Sequence, residues 1–230
     1  MKKIAVISLG GSLIFPKEGI DARFLKNFRS LILRYARQGW KFVIITGGGT
    51  IARQYQDALK RAGIMSPVEH DWIAIRVTRV NAHLLRILFG GFAHNLVITK
   101  PTEASTALFG NKKILLAGGE KPGQTTDCVA VKCAIGVGAS MVLNLSNVDA
   151  IYDRDPKKYR SAKQLHALSW TAFQKLFSRR HTPGSNVPFD PVATALAKKH
   201  KLTVGFLGAN LSNVNNFFDE KPFKGTSVSS

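Results

Sequence analysis

Cysteine is nearly absent from this chain, with two in 230 residues, Cys128 and Cys133. They lie five apart in a stretch of helical pattern, a spacing that turns their side chains apart and argues against a disulfide. Two thiols are also too few for a structural zinc site, which leaves small core residues in a reducing cytoplasm. Acidic residues are scarce as well, 14 against 33 Lys and Arg, giving a formal net charge of +19. The six histidines, His70, His83, His94, His166, His181 and His200, show no metal-ligand spacing. No apolar run approaches the roughly 18 residues that span a bilayer, so no membrane association is expected. The start, "MKKIAVISLGGSLIF", places two lysines before an apolar stretch, but no A-x-A-like cleavage site follows, and it reads as a first buried strand. Internal repeats, low-complexity linkers and shifts in composition are all missing, so one domain over residues 1–230 is expected.

The surplus positive charge is spread over both halves, with "SRRH" and "AKKHK" its densest stretches. A diffuse positive field favours anionic ligands, from nucleotides to nucleic acid, without specifying a fold. A proteome that is basic throughout would produce the same surplus. Nothing resembles an RNA- or DNA-reading motif, and aromatic and basic residues do not cluster, so nucleic acid is not an expected partner.

What is present is an alternation of apolar strands and amphipathic helices. "KIAVIS" (3–8) predicts a strand, and after Asp21 a helical repeat places Phe24, Leu25, Phe28, Leu31, Ile32 and Tyr35 on one face, ending at Gly39. "KFVIIT" (41–46) is the next strand, and Gly47-Gly48-Gly49 opens another helix. A long helix is expected over roughly 70–89, then strands at 95–99, 113–117 and 141–145, with a helix near 125–138 before the last. A polar, proline-bearing section follows, then two short helices (about 169–177 and 190–199), a strand at 202–207 and an irregular end. Continuous apolar strands separated by helices predict an α/β fold whose largely parallel sheet is covered on both faces.

Ligands of open α/β sheets bind beyond the carboxyl ends of the strands. Here "GGS" follows the first strand, "GGGT" the second, "GGEKPGQTTD" the 113–117 strand and "SNVDAIYDRDP" the 141–145 strand, so four glycine-rich or polar loops converge on one edge. Glycines at a loop or helix start offer bare N–H groups to an anion, and the helix dipole adds favourable potential. Arg53, one turn into the helix of "TGGGTIARQY", is placed for a bidentate phosphate contact. In "GGEKPGQTTDCVA" the hydroxyls of Thr125 and Thr126 can donate to a nucleotide, while Asp127 reads equally as a helix cap or as a ligand. Asp190 before Pro191 reads as a helix N-cap with proline at the first helical position. The first loop, "ISLGGSLI", has the glycines of a phosphate loop but not the lysine that loops handling transferable phosphate usually carry.

The ordered motifs "SLGGS", "GGGTIARQY", "DWIAIRVTRVNAHLL", "GGEKPGQTTDCVA", "SNVDAIYDRDPKKY" and "GSNVPFDPVAT" cover nearly the whole chain. Together they resemble the amino acid kinase family, and within it the archaeal-type uridylate (UMP) kinases, with "PGQTTD" the most specific segment. Isopentenyl phosphate kinases share the fold but typically carry a histidine after the triple glycine, where this chain has Ile51-Ala52-Arg53. The resemblance implies a three-layer α/β/α sandwich, ATP with Mg²⁺ as phosphoryl donor, UMP as acceptor and a homohexamer. It implies an acceptor-binding part over about 1–115 and an ATP-binding part over about 116–230. Gly10, Gly11 and Ser12 would contact the ATP phosphates, Gly48 would approach UMP, and Gly49 and Arg53 would handle phosphate. Asp71 would hydrogen-bond uridine, and Glu120, Lys121, Pro122, Gly123, Gln124, Thr125 and Thr126 would wrap the rest of UMP. Ser146, Asn147, Tyr152 and Asp155 would hold adenosine, and Asp190 would organise the reacting groups.

The chain departs from the family pattern in ways that bear on catalysis. Ser8 stands where the first-loop lysine is usual, Ala150 where "VDGVY" has glycine, and Ala195 where a second lysine often follows Asp190. Lys121, Arg53, Lys157 and Lys158 are the candidates for the missing cation, and Lys121, in the acceptor loop, is the choice. The lost lysines leave a non-catalytic nucleotide- or oxyanion-binding protein of the same fold as the alternative, which the intact "PGQTTD" and "YDRDP" stretches oppose. Trp40, Trp72 and Trp170 read as core or interface residues rather than stacking platforms.

Overall fold

A computed structural model describes residues 3–154, 156, 159–178 and 188–230. From the first strand, β1 (Ile4–Leu9), the chain makes one helical turn, α1 (Gly11–Ile14), and continues through α2 (Ala22–Arg37), β2 (Lys41–Thr46), α3 (Gly49–Arg61) and α4 (Pro67–Phe89). Then come β3 (Ala93–Ile98), β4 (Ile114–Ala117), α5 (Thr126–Val137) and β5 (Met141–Leu145). The remainder holds β6 (Ile151–Tyr152), β7 (Gln164–Leu165), β8 (Ala167–Ser169), α6 (Trp170–Ser178), α7 (Pro191–Lys199), β9 (Thr203–Leu207), α8 (Leu211–Phe218) and β10 (Thr226–Ser229).

Eight strands form one sheet in the order β3-β4-β2-β1-β5-β9-β10-β8, parallel from β3 to β9. β1 is buried along its whole length because its alternate residues enter two cores. Ala5, Ile7 and Leu9 meet α2, α4 and α8 on one face, while Ile4 and Val6 share the other core with α5, α6 and α7. The result is the expected three-layer α/β/α sandwich. Local signals explain the helix ends. Asp21 caps α2 by accepting the Phe24 N–H (2.8 Å), and Gly39, at φ +93°, takes the left-handed conformation just past the last turn. Trp170 is buried with Phe173, Phe189 and Phe206, and both cysteines are buried and free.

Three expectations need correction. α4 begins at Pro67, before residue 70, because Ser66 caps it and proline suits its first turn. β3 begins at Ala93 and ends at Ile98; as an edge strand with Asn95 and Leu96 exposed, its apolar pattern is weak. The end is not irregular: Asn210 caps α8 by accepting from Ser212 and Asn213, and β10 pairs antiparallel with β9. Among the described residues, no helix is long and apolar enough to cross a membrane.

This topology positions a site. The chain leaves β1 towards β2 on one side and returns through α5 to β5 on the other, which makes the carboxyl end of β1 a topological switch point.

Candidate functional site

The loops after β1 and β2 lock backbone against backbone. The Gly47 N–H donates to the Leu9 carbonyl (2.8 Å), and the Gly10 N–H to that of Leu145 (2.7 Å). A Cβ placed on Gly11 would lie 2.1 Å from the Gly49 nitrogen and 2.5 Å from the Gly47 carbonyl oxygen. On Gly49, at φ +67°, it would lie 2.3 Å from the Gly11 oxygen, and on Gly10, 2.9 Å from the Leu145 oxygen and 3.6 Å from Ser146 Cβ. The first loop, with Gly10, Gly11 and Ser12, therefore touches Gly49 beside Gly48, and also Ser146. Two helices start at this edge. α3 begins at Gly49, with Arg53 exposed one turn later and donating to Thr50 Oγ1 (3.2 Å). α5 is capped by Thr125, whose hydroxyl oxygen accepts the Cys128 N–H (3.3 Å), and Thr126 opens it.

α4 holds the loops at this edge through side-chain hydrogen bonds. Thr46 donates to the Thr78 carbonyl (2.7 Å), Thr78 Oγ1 accepts the Gly119 N–H (2.7 Å), and Asn81 donates to the Gly47 carbonyl (2.8 Å). Arg79 donates to the carbonyls of Gly119 (3.1 Å) and Glu120 (3.0 Å). Asp71 Oδ2 accepts the Gly123 N–H (2.8 Å), which pins the 118–126 loop to the head of α4. Sequence reasoning took only Asp71 from this helix. Thr78 and Asn81 are polar yet buried, which marks them only once the fold is known. Lys132 was also missed; its ammonium donates to Glu120 (3.1 Å) and Gln124 (2.9 Å). Lys121 is exposed in the same loop, beside Pro122.

Of the two readings of Asp127, the structure excludes the helix cap. Thr125 takes the cap, so the Asp127 carboxylate turns to the junction of β1, β5 and α7. Oδ1 accepts from Ser8 Oγ (3.0 Å) and Asn144 Nδ2 (2.9 Å), and the Asp190 backbone adds a further hydrogen bond. All these donors are neutral. Surrounding protein desolvates the carboxyl and, with a smaller push from Asp190, raises its pKa to about 6 against the relief from its hydrogen bonds. Asp190 itself caps α7, accepting the Ala193 N–H (2.8 Å) ahead of Pro191, as the local pattern predicts.

The folded protein holds the Asp127 proton more tightly than the unfolded chain does. Stability from this group is therefore greatest below its unfolded value of 3.8, falls as pH rises towards about 6, and stays low above that. For a group still open to solvent on one side, the loss is on the order of 2 kcal/mol. Asp127→Asn is expected to raise the urea midpoint at neutral pH and to change it little near pH 4. Equal shifts at both pH values would show that the carboxylate is not desolvated.

On the β5 side, Ser146 Oγ accepts the Val148 N–H (3.1 Å) and Asn147 is exposed. The Tyr152 hydroxyl donates to Asp149 Oδ1 (2.9 Å). Asp155, Lys157 and Lys158 lie outside the described residues. Among the described residues, no cluster of three His, Cys, Asp or Glu side chains could hold a metal by itself.

Comparison with known proteins matches the chain to a family. The amino acid kinase family pattern covers residues 3–206. A uridylate kinase from Methanocorpusculum labreanum is 37% identical over 195 residues, 84% of this chain and 81% of that protein. One from Thermoplasma volcanium is 33% identical over 231 residues, 99% and 98% of the two. The crystal structure of uridylate kinase from Archaeoglobus fulgidus superposes with a TM-score of 0.84 at 30% identity, covering all of both chains.

Proposed function

This chain belongs to the amino acid kinase family, and on that premise we propose that it transfers the γ-phosphoryl group of ATP to UMP, giving ADP and UDP. The observation that carries this function is the contact between the two glycine loops at the sheet edge, where α3 and α5 also begin. It presents bare N–H groups and two helix N-termini to phosphates, with hydroxyls and cations around them.

In this assignment Gly10, Gly11, Ser12, Gly49 and Arg53 hold the ATP phosphates, and Ser146, Asn147, Tyr152 and Asp155 hold adenosine. Gly48, Asp71 and the loop from Glu120 to Thr126 hold UMP, so the acceptor part, about 1–115, borrows one loop from the ATP part, about 116–230. A UMP phosphate oxygen is ionised at neutral pH, so no general base is required, and the protein's task is positioning and charge neutralisation. Lys121 serves as the cation at the transferred group, and Asp190 orders the α7 end of the site. Mg²⁺ fits the donor set, because Asp127 offers a hard carboxylate oxygen without a cationic partner, and donor phosphates and water complete such sites. When bound, the ion neutralises charge on the donor phosphates. We place the enzyme in the cytoplasm, in keeping with its two free cysteines, and as a homohexamer, as the family resemblance implies.

An ADP-release assay across UMP, CMP, dTMP, isopentenyl phosphate and acetylglutamate tests the assignment. Turnover is expected with UMP well above the others; turnover with none would point to a non-catalytic binding protein. Asp71 supplies a sharper test. One of its oxygens pins Gly123 and the other is left for uridine. Asp71→Ala is expected to weaken UMP about tenfold, the scale of one hydrogen bond to a charged group, with much less effect on ATP. Equal losses for both substrates would make Asp71 a structural pin alone.

A further inference from the structure

We propose that Asp149 and Lys224 are positioning residues for the donor nucleotide, acting as a strut that fixes the ring of Tyr152. The proposal rests on the assignment of Tyr152 to the adenosine site.

The geometry is a relay from α8 to the donor loop. Asn213 grips the backbone of Lys224 from both sides: its Oδ1 accepts the Lys224 N–H (2.7 Å), and its Nδ2 donates to the Lys224 carbonyl. From that anchored backbone the Lys224 ammonium reaches Asp149 Oδ2 (2.7 Å). The other carboxylate oxygen, Oδ1, accepts the Tyr152 hydroxyl (2.9 Å). Asp149 is further confined by the β9–α8 turn, where a Cβ on Gly208 would stand 3.1 Å from its own Cβ. Both oxygens are thus engaged by named partners, and the Lys224 ammonium holds the Asp149 carboxyl below the usual carboxylate range.

The terminal segment also holds the hairpin that carries Tyr152. The Ile151 N–H donates to Thr226 Oγ1 (2.8 Å), Thr226 donates to the Leu165 carbonyl, and Gln164 donates to the Gly225 carbonyl (2.8 Å). β6 and β7 are therefore fastened to residues 225–226, and Tyr152 is tied through Asp149 to residue 224. Ala150, next to Asp149, is buried and lacks the freedom of the glycine usual there, which favours a single loop conformation.

As a stability contact the ion pair would count for little, because its side chains are 66% and 41% exposed. Its consequence is orientation. A phenol held by an anchored carboxylate presents one ring plane to a planar base, whereas a free phenol loses ring freedom on each binding event. The effect should therefore appear in the KM for ATP and not in folding.

Steady-state constants for ATP and UMP, with urea midpoints, on Lys224→Met, Lys224→Arg, Tyr152→Phe and Tyr152→Ala test this. Lys224→Met and Tyr152→Phe are each expected to raise the KM for ATP about three- to tenfold, as for one interrupted hydrogen bond or ion pair. The KM for UMP and the midpoint should change little, and Lys224→Arg should restore the ATP value. The double variant should be no worse than either single one, because both interrupt the same relay. If Tyr152→Ala weakens ATP while Lys224→Met and Tyr152→Phe behave as wild type, the strut is refuted and the adenosine assignment stands. If Tyr152→Ala leaves the KM for ATP unchanged, the adenosine assignment falls and takes the strut with it. A lowered midpoint with equal rises in both KM values would make Lys224 a structural contact and refute the proposal.

Discussion

Gly11→Ala is expected to abolish turnover and to cost about 3 kcal/mol or more of folding stability, at the upper end for overpacking a close contact. The added methyl carbon would stand 2.1 Å from the Gly49 nitrogen and 2.5 Å from the carbonyl carbon and oxygen of Gly47. All three are backbone atoms, so no side chain can rotate out of the way. Relief requires the two loops to separate by more than 1 Å, roughly the shortfall from ordinary van der Waals contact. The same movement pulls apart the N–H groups that we assign to the phosphates, so stability and activity should fall together. Urea unfolding and UMP turnover on the variant check both. A stable, active Gly11→Ala protein would mean that the loops do not touch in solution.

The second large effect concerns the cation that Ser8 does not supply. At this edge of the sheet, Lys132 is engaged by Glu120 and Gln124, Arg79 by two loop carbonyls, and Arg53 by Thr50. Lys121 is exposed in the 118–126 loop, with Gly123 two residues on pinned by Asp71. Among these described cations we therefore propose Lys121 as the one that meets the transferred phosphoryl group. Lys121→Met is expected to lower kcat by about ten- to a thousandfold, the range for single electrostatic groups, with KM values little changed. Survival of kcat in Lys121→Met and its collapse in Arg53→Met or Lys157→Met would move the role to that residue.

These two sites also show what sequence could and could not convey. Fully buried parallel strands read as continuous apolar runs, so β1, β2, β4 and β5 were visible at once, and the loops beyond them followed. Caps that act within three residues, Asp21 on Phe24 and Asp190 on Ala193, were equally local. β10 was not legible, because a run with one buried apolar residue, Val228, gains its strand character from pairing with β9. Asp127 could not be assigned, since adjacent hydroxyls at Thr125 and Thr126 compete for the cap and its partner Ser8 is 119 residues away. For the same reason the polar side of α4 escaped notice: Thr78, Arg79 and Asn81 bond groups 32 to 41 residues distant. Local chemistry specifies elements and caps, whereas the candidate site is assembled from contacts that only the formed sheet brings together.

The most direct test follows the phosphoryl group itself. ATP labelled in its γ-phosphoryl group is incubated with the protein, UMP and magnesium, and the nucleotides are separated. Label is expected to move from ATP into UDP, with one ADP formed for each UDP and transfer dependent on UMP. Label that stays in ATP, or passes to inorganic phosphate whether or not UMP is present, would contradict a UMP kinase.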